Sequence, residues 1–537
     1  MQAHLTRFDT RRAGGPTSPR IVPKKGTLRR FSIVALLLVA ALLVPAPAFA
    51  VDEVNTKRLR DAVTVSGILG HERALQRIAN QNGSTRASGT PGFAASAAYV
   101  KGRLAAAGYN VTEQEFTFPF FRDLSEPTLE QVSPLPPAEF ETATFQFSGS
   151  GDITGPLVPT NDIVIPPGPT PSSSNSGCEP GDFPQAPAEP AVALIQRGTC
   201  FFEDKAANAQ AAGYEAVIIF NEGQEGRTEL LTGTLGRPFD IPVVGLSFAD
   251  GAALYNATTE GDVVVHVVTD TEINLEAKTT NILADSPGGD PDKVLVVGAH
   301  LDSVVAGPGI NDNGSGTSTI LEVAEEMAEL GTNPRQKVRF AFWGAEESGL
   351  LGSEHYVANL SDDELHAIFA NLNFDMLGSP NYVRFVYDGD GSGDPEAAGP
   401  PGSAQIEDVF NKYFANQGLA TDPTPFDGRS DYGPFIEVGI PAGGLFSGAE
   451  GIKTPAQATV YGGTAGMAYD HCYHQACDTI NNLNTKALFE LGDAVAHATL
   501  TLARTKSGFF EDGSLRAQAR TQVAADRFDF HGGQAVR

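Results

Sequence analysis

The chain has 537 residues, with 65 acidic against 37 basic side chains, a formal charge of −28 and 41% apolar residues. That balance excludes an intrinsically disordered chain, which could not bury enough apolar surface, and a surface built to hold nucleic acid or anionic lipid, which it would repel. The length exceeds what one hydrophobic core usually organises, so two or three domains are expected.

The first element is an address. Lys24, Lys25, Arg29 and Arg30 precede an apolar run over residues 31–44, Pro45 and Pro47 break it, and Ala48-Phe49-Ala50 has the small-x-small form of a cleavage site. The run is short for a bilayer span. Residues 1–50 are therefore expected to be an export signal removed near Ala50, leaving a secreted chain without a stable membrane anchor; an uncleaved anchor is the alternative. No second apolar run is long enough to cross a membrane.

Residues 68–78 and 94–107 carry apolar residues at helical spacing, and residues 111–118 read as a strand. Residues 122–190 then turn rich in Pro, Gly and Ser, with short alternating runs at 143–147 and 163–165. Strands are expected at 191–195, 216–220, 243–245 and 263–268, and a helix at 202–212 that ends at Gly213. From residue 279 the pattern becomes strand–helix alternation: strands at 294–297, 338–343 and 368–376, helices at 317–330 and 355–359. Unbroken apolar strands between helices predict an α/β fold, a mostly parallel mixed sheet sandwiched by helices, with a β-rich module inserted. The expected division is 51–124 and 277–506 for the two parts of the main domain, 125–276 for the insert, and 507–537 for a polar tail that is flexible or removable. There are no internal repeats.

The four cysteines suggest two disulfides in an exported chain, and proximity pairs Cys178 with Cys200 and Cys472 with Cys477. A four-cysteine zinc site, the competing reading, lacks the two-residue spacing of a zinc knuckle.

Five segments place a metal-capable or acidic residue beside an expected element. His300 follows the 294–297 strand, with Asp302 two residues on to fix the ring tautomer. Asp312 sits in the glycine-rich turn Asn311-Asp312-Asn313-Gly314, which equally suits a helix cap. Glu346 and Glu347 follow the 338–343 strand; one of such a pair can bind metal while the other moves a proton, or both can simply favour a helix start. Asp375 is a carboxylate in an apolar run, costly unless paired or metal-bound. His474 lies between Cys472 and Cys477, where a short disulfide loop would hold it rigidly. Each segment is weak alone. Together, two His, two Asp and a Glu can supply two metal sites if Asp312 bridges, with N and O donors that suit zinc or manganese.

These segments, with the strings GAHLDSV, GINDNGSG, FAFWGAEESGLLGS, NFDMLGSPN, DGRSDYGPF and CYHQACD, resemble the secreted co-catalytic di-zinc aminopeptidases of the Streptomyces griseus type over residues 53–118 and 277–505. The resemblance implies an enzyme with two zinc ions that removes single residues from peptides or proteins with a free amino end, preferring large apolar residues such as leucine. It implies that His300 and Asp375 hold one zinc, Glu347 and His474 the other, and that Asp312 bridges. Glu346 is the implied general base and acid, Asp302 the partner of His300, Tyr473 a donor to the carbonyl oxygen, and Arg429 a residue near the substrate amino end. Residues 125–275 resemble a protease-associated (PA) domain. The family's calcium site does not carry over, because Phe489 stands where the family has an acidic ligand, although Asp493 is present. A monomer without nucleic-acid or stable membrane partners is expected. The rivals are a di-zinc carboxypeptidase or aminoacylase on the same fold, and a non-catalytic binding protein, which would be expected to have lost ligands.

Overall fold

The computed structural model describes residues 51–506 and Phe509, apart from 135, 188, 189, 394, 396 and 397; the expected export signal, and the tail except Phe509, lie outside the described residues. An eight-stranded mixed sheet runs in the order Asn110–Asp123, Thr271–Asp285, Gln336–Trp343, Asp290–His300, Ile368–Asp375, Ala442–Phe446, Phe385–Tyr387, Asp422–Thr424. The four central strands, from Gln336–Trp343 to Ala442–Phe446, are mutually parallel, and the antiparallel pairings lie towards the edges.

The central strand shows why its apolar run is unbroken. Leu295 and Val297 point into one core, built with the helices Val65–Gln81, Pro91–Ala106, Gly314–Glu329 and Thr485–Arg504. Val294 and Val296 point into another, with Tyr356, Val357, Leu365 and Phe435 from the short helices on the opposite face. From Val294 onward alternation buries both faces, so no position there tolerates a polar residue until the strand ends at His300. Several elements extend beyond the apolar runs: the strand expected at 111–118 runs to Asp123, and the helix expected from 317 begins at Gly314.

Asn110–Asp123 and Thr271–Asp285 pair along their length, from Asn110 with Asp285 to Asp123 with Thr271. This ribbon leads into a second eight-stranded sheet, formed entirely by residues between Thr128 and Thr269. Its buried strands Val192–Gln196, Ala216–Phe220 and Val243–Leu246 are parallel, and two apolar clusters cover its faces. The alternation at 163–165 forms no strand: Pro166 and Pro167 follow at once, and Ile163 and Ile165 pack against the core as loop residues. In 143–147 only Ala143–Thr144 pairs as a strand, while Phe145 and Phe147 are buried. Both expected disulfides form, Cys178–Cys200 and Cys472–Cys477. Phe509 is buried edge-to-face on Phe369, so the stretch expected to be loose contains a packed anchor.

Candidate metal centre

The carboxyl ends of the parallel strands lie side by side, with His300 in register with Trp343 and Gly298 with Asn373. This edge is where open α/β sheets place their ligand sites. His300 and Asp375 are the last residues of their strands, and Glu346 and Glu347 occupy the turn after Trp343. Asp312 arrives from the loop ahead of Gly314–Glu329. Its neighbour Asn313 is the cap of that helix: the side chain accepts from the Gly316 N–H and the Met376 N–H, and its amide donates to the Phe374 carbonyl. Asn313 thereby ties the Asp312 loop to the strand that ends in Asp375. Gly316 permits the approach, since a Cβ there would lie 2.2 Å from the Phe374 carbonyl oxygen.

The expected side chains converge. His300 Nε2 is 3.2 Å from Asp312 Oδ1 and 3.3 Å from Asp375 Oδ1. His474 Nε2 is 3.2 Å from Asp312 Oδ2 and 3.0 Å from Glu347 Oε2. The five residues thus form two trios, each with its donor atoms within 4.8 Å of one another, and Asp312 belongs to both through different oxygens. Glu347 Oε1 is buried without a hydrogen-bond partner, and the donors are N and O alone, so the set fits borderline or hard divalent cations. Glu346 belongs to neither trio; its Oε2 is 3.8 Å from His300 Nε2.

Electrostatics follow from burying so many carboxylates. Burial pushes Glu346 well above the usual carboxylate range, and Glu347 upward as well. Burial would also raise Asp312, but the facing His300 and His474 hold it well below its ordinary value. Burial would lower both histidines; instead Glu346 and Asp375 lift His300 well above its usual value, and Glu347 and Asp312 lift His474 to about 11. Metal-free, the surroundings thus favour the charged forms of Asp312, His300 and His474 and the neutral form of Glu346.

Asp302 stands against His300 and also serves a second group. Its carboxylate Oδ1 stands 3.7 Å from His300 Nδ1, while its own carbonyl lies nearer, at 3.2 Å, and Oδ1 instead accepts the Glu346 N–H at 3.2 Å. The carboxylate therefore orients the Glu346 turn as well as facing the imidazole. Tyr473 stacks on the His474 ring at 3.8 Å, and burial pushes its hydroxyl above its ordinary value. Arg429 lines the same cavity but pairs with Glu450 at 2.8 Å. Ala345, Met376 and His474 all adopt left-handed backbone, at φ 54°, 54° and 57°. Such conformations cost on the order of 1–3 kcal/mol each and persist where the surroundings enforce them, here at or next to a residue of the site.

Other residues of the site were not singled out from the sequence. Ser430 donates to Asp375 Oδ2 at 2.6 Å and accepts from Asn373. Asp478 accepts the Asn311 and Asp312 N–H groups, joining the disulfide loop to the Asp312 loop. Asp431 is buried with both oxygens unpartnered, and burial raises it to about 8. All three fall inside strings already noted, DGRSDYGPF and CYHQACD, but nothing in their spacing separates them from loop polar residues. Asp493, in contrast, is taken up by Arg60 and Tyr413, and Phe489 is exposed.

The trios open into a cavity of about 350 Å³. Leu350, Met376, Tyr387, Tyr432 and Phe446 give it an apolar side, and Thr144, Gln146, Thr232 and Thr234 from the second-sheet region form part of its wall. A sheet edge carrying two linked N/O donor trios beside an acidic group that belongs to neither defines a metal-dependent hydrolase. Residues 281–499 match Peptidase family M28 and residues 153–254 match the PA domain. The chain is 46% identical over 444 residues to an aminopeptidase of Pseudomonas aeruginosa, covering 82% of this chain and 81% of the relative. It is 45% identical over 342 residues to leucine aminopeptidase 2 of Trichophyton rubrum, covering 63% and 67%. Among solved structures it resembles a zinc aminopeptidase of Bacillus subtilis, with a TM-score of 0.58 at 26% identity over 84% of this chain and 99% of that one. The chain belongs to peptidase family M28 and is a hydrolase acting on peptide bonds.

Proposed function

We propose that this chain is a secreted zinc aminopeptidase that uses two ions, with His300 and Asp375 holding one, Glu347 and His474 the other, and Asp312 both. The observation that carries this reading is Asp312, whose two oxygens face two different histidine Nε2 atoms at 3.2 Å each. When bound, the zinc pair supplies Lewis-acid polarisation of the scissile carbonyl and acidifies water towards neutral pH. Glu346, buried and outside both trios, takes the proton of the attacking water and returns it to the leaving amine. Tyr473, kept protonated by burial, donates to the carbonyl oxygen as negative charge develops there. Asp302, through the Glu346 N–H, holds the turn that aims Glu346.

Charge favours an amino end over a carboxyl end. Apart from the three carboxylates that the ions would neutralise, the cavity presents Glu346 and Asp427, and its guanidinium, Arg429, is already paired with Glu450. A substrate ammonium is attracted there and a substrate carboxylate repelled. The apolar side formed by Leu350, Met376, Tyr387 and Phe446 suits a large apolar side chain such as leucine. Export is supported by the two disulfides, and among the described residues no helix is long and apolar enough to cross a membrane. We assign residues 51–124 and 277–506 to the peptidase domain, 125–276 to the PA domain, and a monomer to the working state. Purified, zinc-loaded protein should hydrolyse leucine p-nitroanilide and leave its N-acetylated form intact. Preference for the blocked substrate would replace this reading with an aminoacylase-like or endopeptidase one.

A further inference from the structure

Between the helices Val65–Gln81 and Pro91–Ala106 lies Arg86, a guanidinium with no solvent exposure. Its Nε donates to the Pro308 carbonyl at 2.8 Å, its Nη1 to the Leu301 carbonyl and its Nη2 to the Gly309 carbonyl at 2.5 Å. These carbonyls belong to the one loop that leads from His300 to Asp312. The same short segment grips that loop twice more. The Arg86 N–H donates to Ser303 Oγ at 3.0 Å, Thr85 Oγ1 donates to the Val304 carbonyl at 3.0 Å, and Ser303 Oγ in turn reaches the Gly307 carbonyl. Gly309, at φ 58°, has room only for hydrogen: a Cβ would lie 2.4 Å from that of Ser303 and 3.2 Å from Arg86 Nη2.

Burying a guanidinium is costly unless charge opposes it. Glu72, itself fully buried, is the foremost of the acidic groups whose charge offsets that cost. Asp302, Asp478 and Glu347 add to that offset. Fully buried, with all three of its nitrogens turned to carbonyls of one loop, Arg86 is out of reach of a substrate.

Resting on the zinc reading above, we infer that Arg86 is a positioning residue for the metal pair: it sets the spacing between His300 and Asp312 by clasping the loop that joins them. Lysine keeps the charge but cannot span three carbonyls. Residues that orient metal ligands typically affect metal affinity by ~10–100-fold. Arg86→Lys should therefore raise the zinc dissociation constant, measured by chelator competition, by ~10–100-fold, and lower kcat at limiting zinc with KM changed less than about twofold. Arg384→Lys, which alters another buried arginine bound to Glu490 and the Ala420 carbonyl, serves as the stability control. It should lower the melting temperature while leaving zinc affinity native. If Arg86→Lys does not fold, Ser303→Ala loosens the same clasp and should weaken zinc binding several-fold. Native zinc affinity in the folded position-86 or position-303 variant, or equal loss of affinity in Arg384→Lys, overturns the inference. A native protein that holds no zinc would instead end the reading beneath it, and that result is visible before any variant is made.

Discussion

The two halves of the centre are built by different means. The His300 half is made by the sheet: His300 and Asp375 end neighbouring parallel strands, the imidazole is 1% exposed, and Thr317 of the following helix donates to the His300 carbonyl at 2.7 Å. The His474 half is made by loops: its imidazole side chain is 31% exposed, its backbone is left-handed, and a disulfide five residues long in sequence closes around it. Strand ends are positioned by a core that the whole domain stabilises, whereas a loop ligand needs a dedicated restraint. Asp478 and the Cys472–Cys477 bridge supply it, and Asp312 forces the two halves to share one geometry.

The largest expected effect ignores the division. Glu346→Gln should cost about 10²–10⁴ in kcat. Metal content should stay native, because Glu346 belongs to neither trio. Loss of both metals in that variant would refute the split between holding metal and moving the proton. A smaller effect separates the halves. Replacing Cys472 and Cys477 by Ser should weaken metal retention at the His474 trio by ~10–100-fold and leave the His300 trio loaded. Equal loss from both, read by metal analysis after graded chelation, would mean that the bridge stabilises the fold rather than one site.

The smallest effect is a dependence on pH. In the metal-free protein burial would lower His474, yet Glu347 and Asp312 lift it to about 11, above its ordinary 6.5. A raised value in the folded state means that the imidazolium contribution to stability is complete below pH 6.5 and is lost as pH rises towards 11. Loading displaces that proton, so the loaded protein has no such contribution to lose and metal affinity rises with pH. The gap in melting temperature between loaded and metal-free protein should widen from pH 7 to pH 9.5; a gap that narrows would contradict the assigned charge states.

How much of this was legible depended on whether a residue announces its burial. The apolar run at 294–297 does so, and with it the strand end at His300. Asp375 does so too, as a carboxylate inside an apolar strand. Asp312 read equally well as a cap, and the structure gives that task to Asn313. The helix Thr485–Arg504 carries Leu488, Leu491, Val495 and Leu502 on its buried face, a spacing readable in the sequence but not anticipated. Arg86, Ser430, Asp431 and Asp478 sit in polar, turn-rich strings, and their burial is decided by distant segments, 215 residues away for the bond from Arg86 to Leu301. No local pattern encodes that. The second sheet showed the opposite limit: its parallel strands were plain, while the prolines after Ile165 prevented an alternating run from pairing.

Anomalous scattering at the zinc edge from a crystal of the purified, zinc-loaded protein tests the centre most directly. Two peaks are expected about 3.5–4 Å apart, one among His300, Asp312 and Asp375 and the other among Asp312, Glu347 and His474. A single peak, or peaks that leave Asp312 outside the coordination of either ion, would contradict the bridged pair.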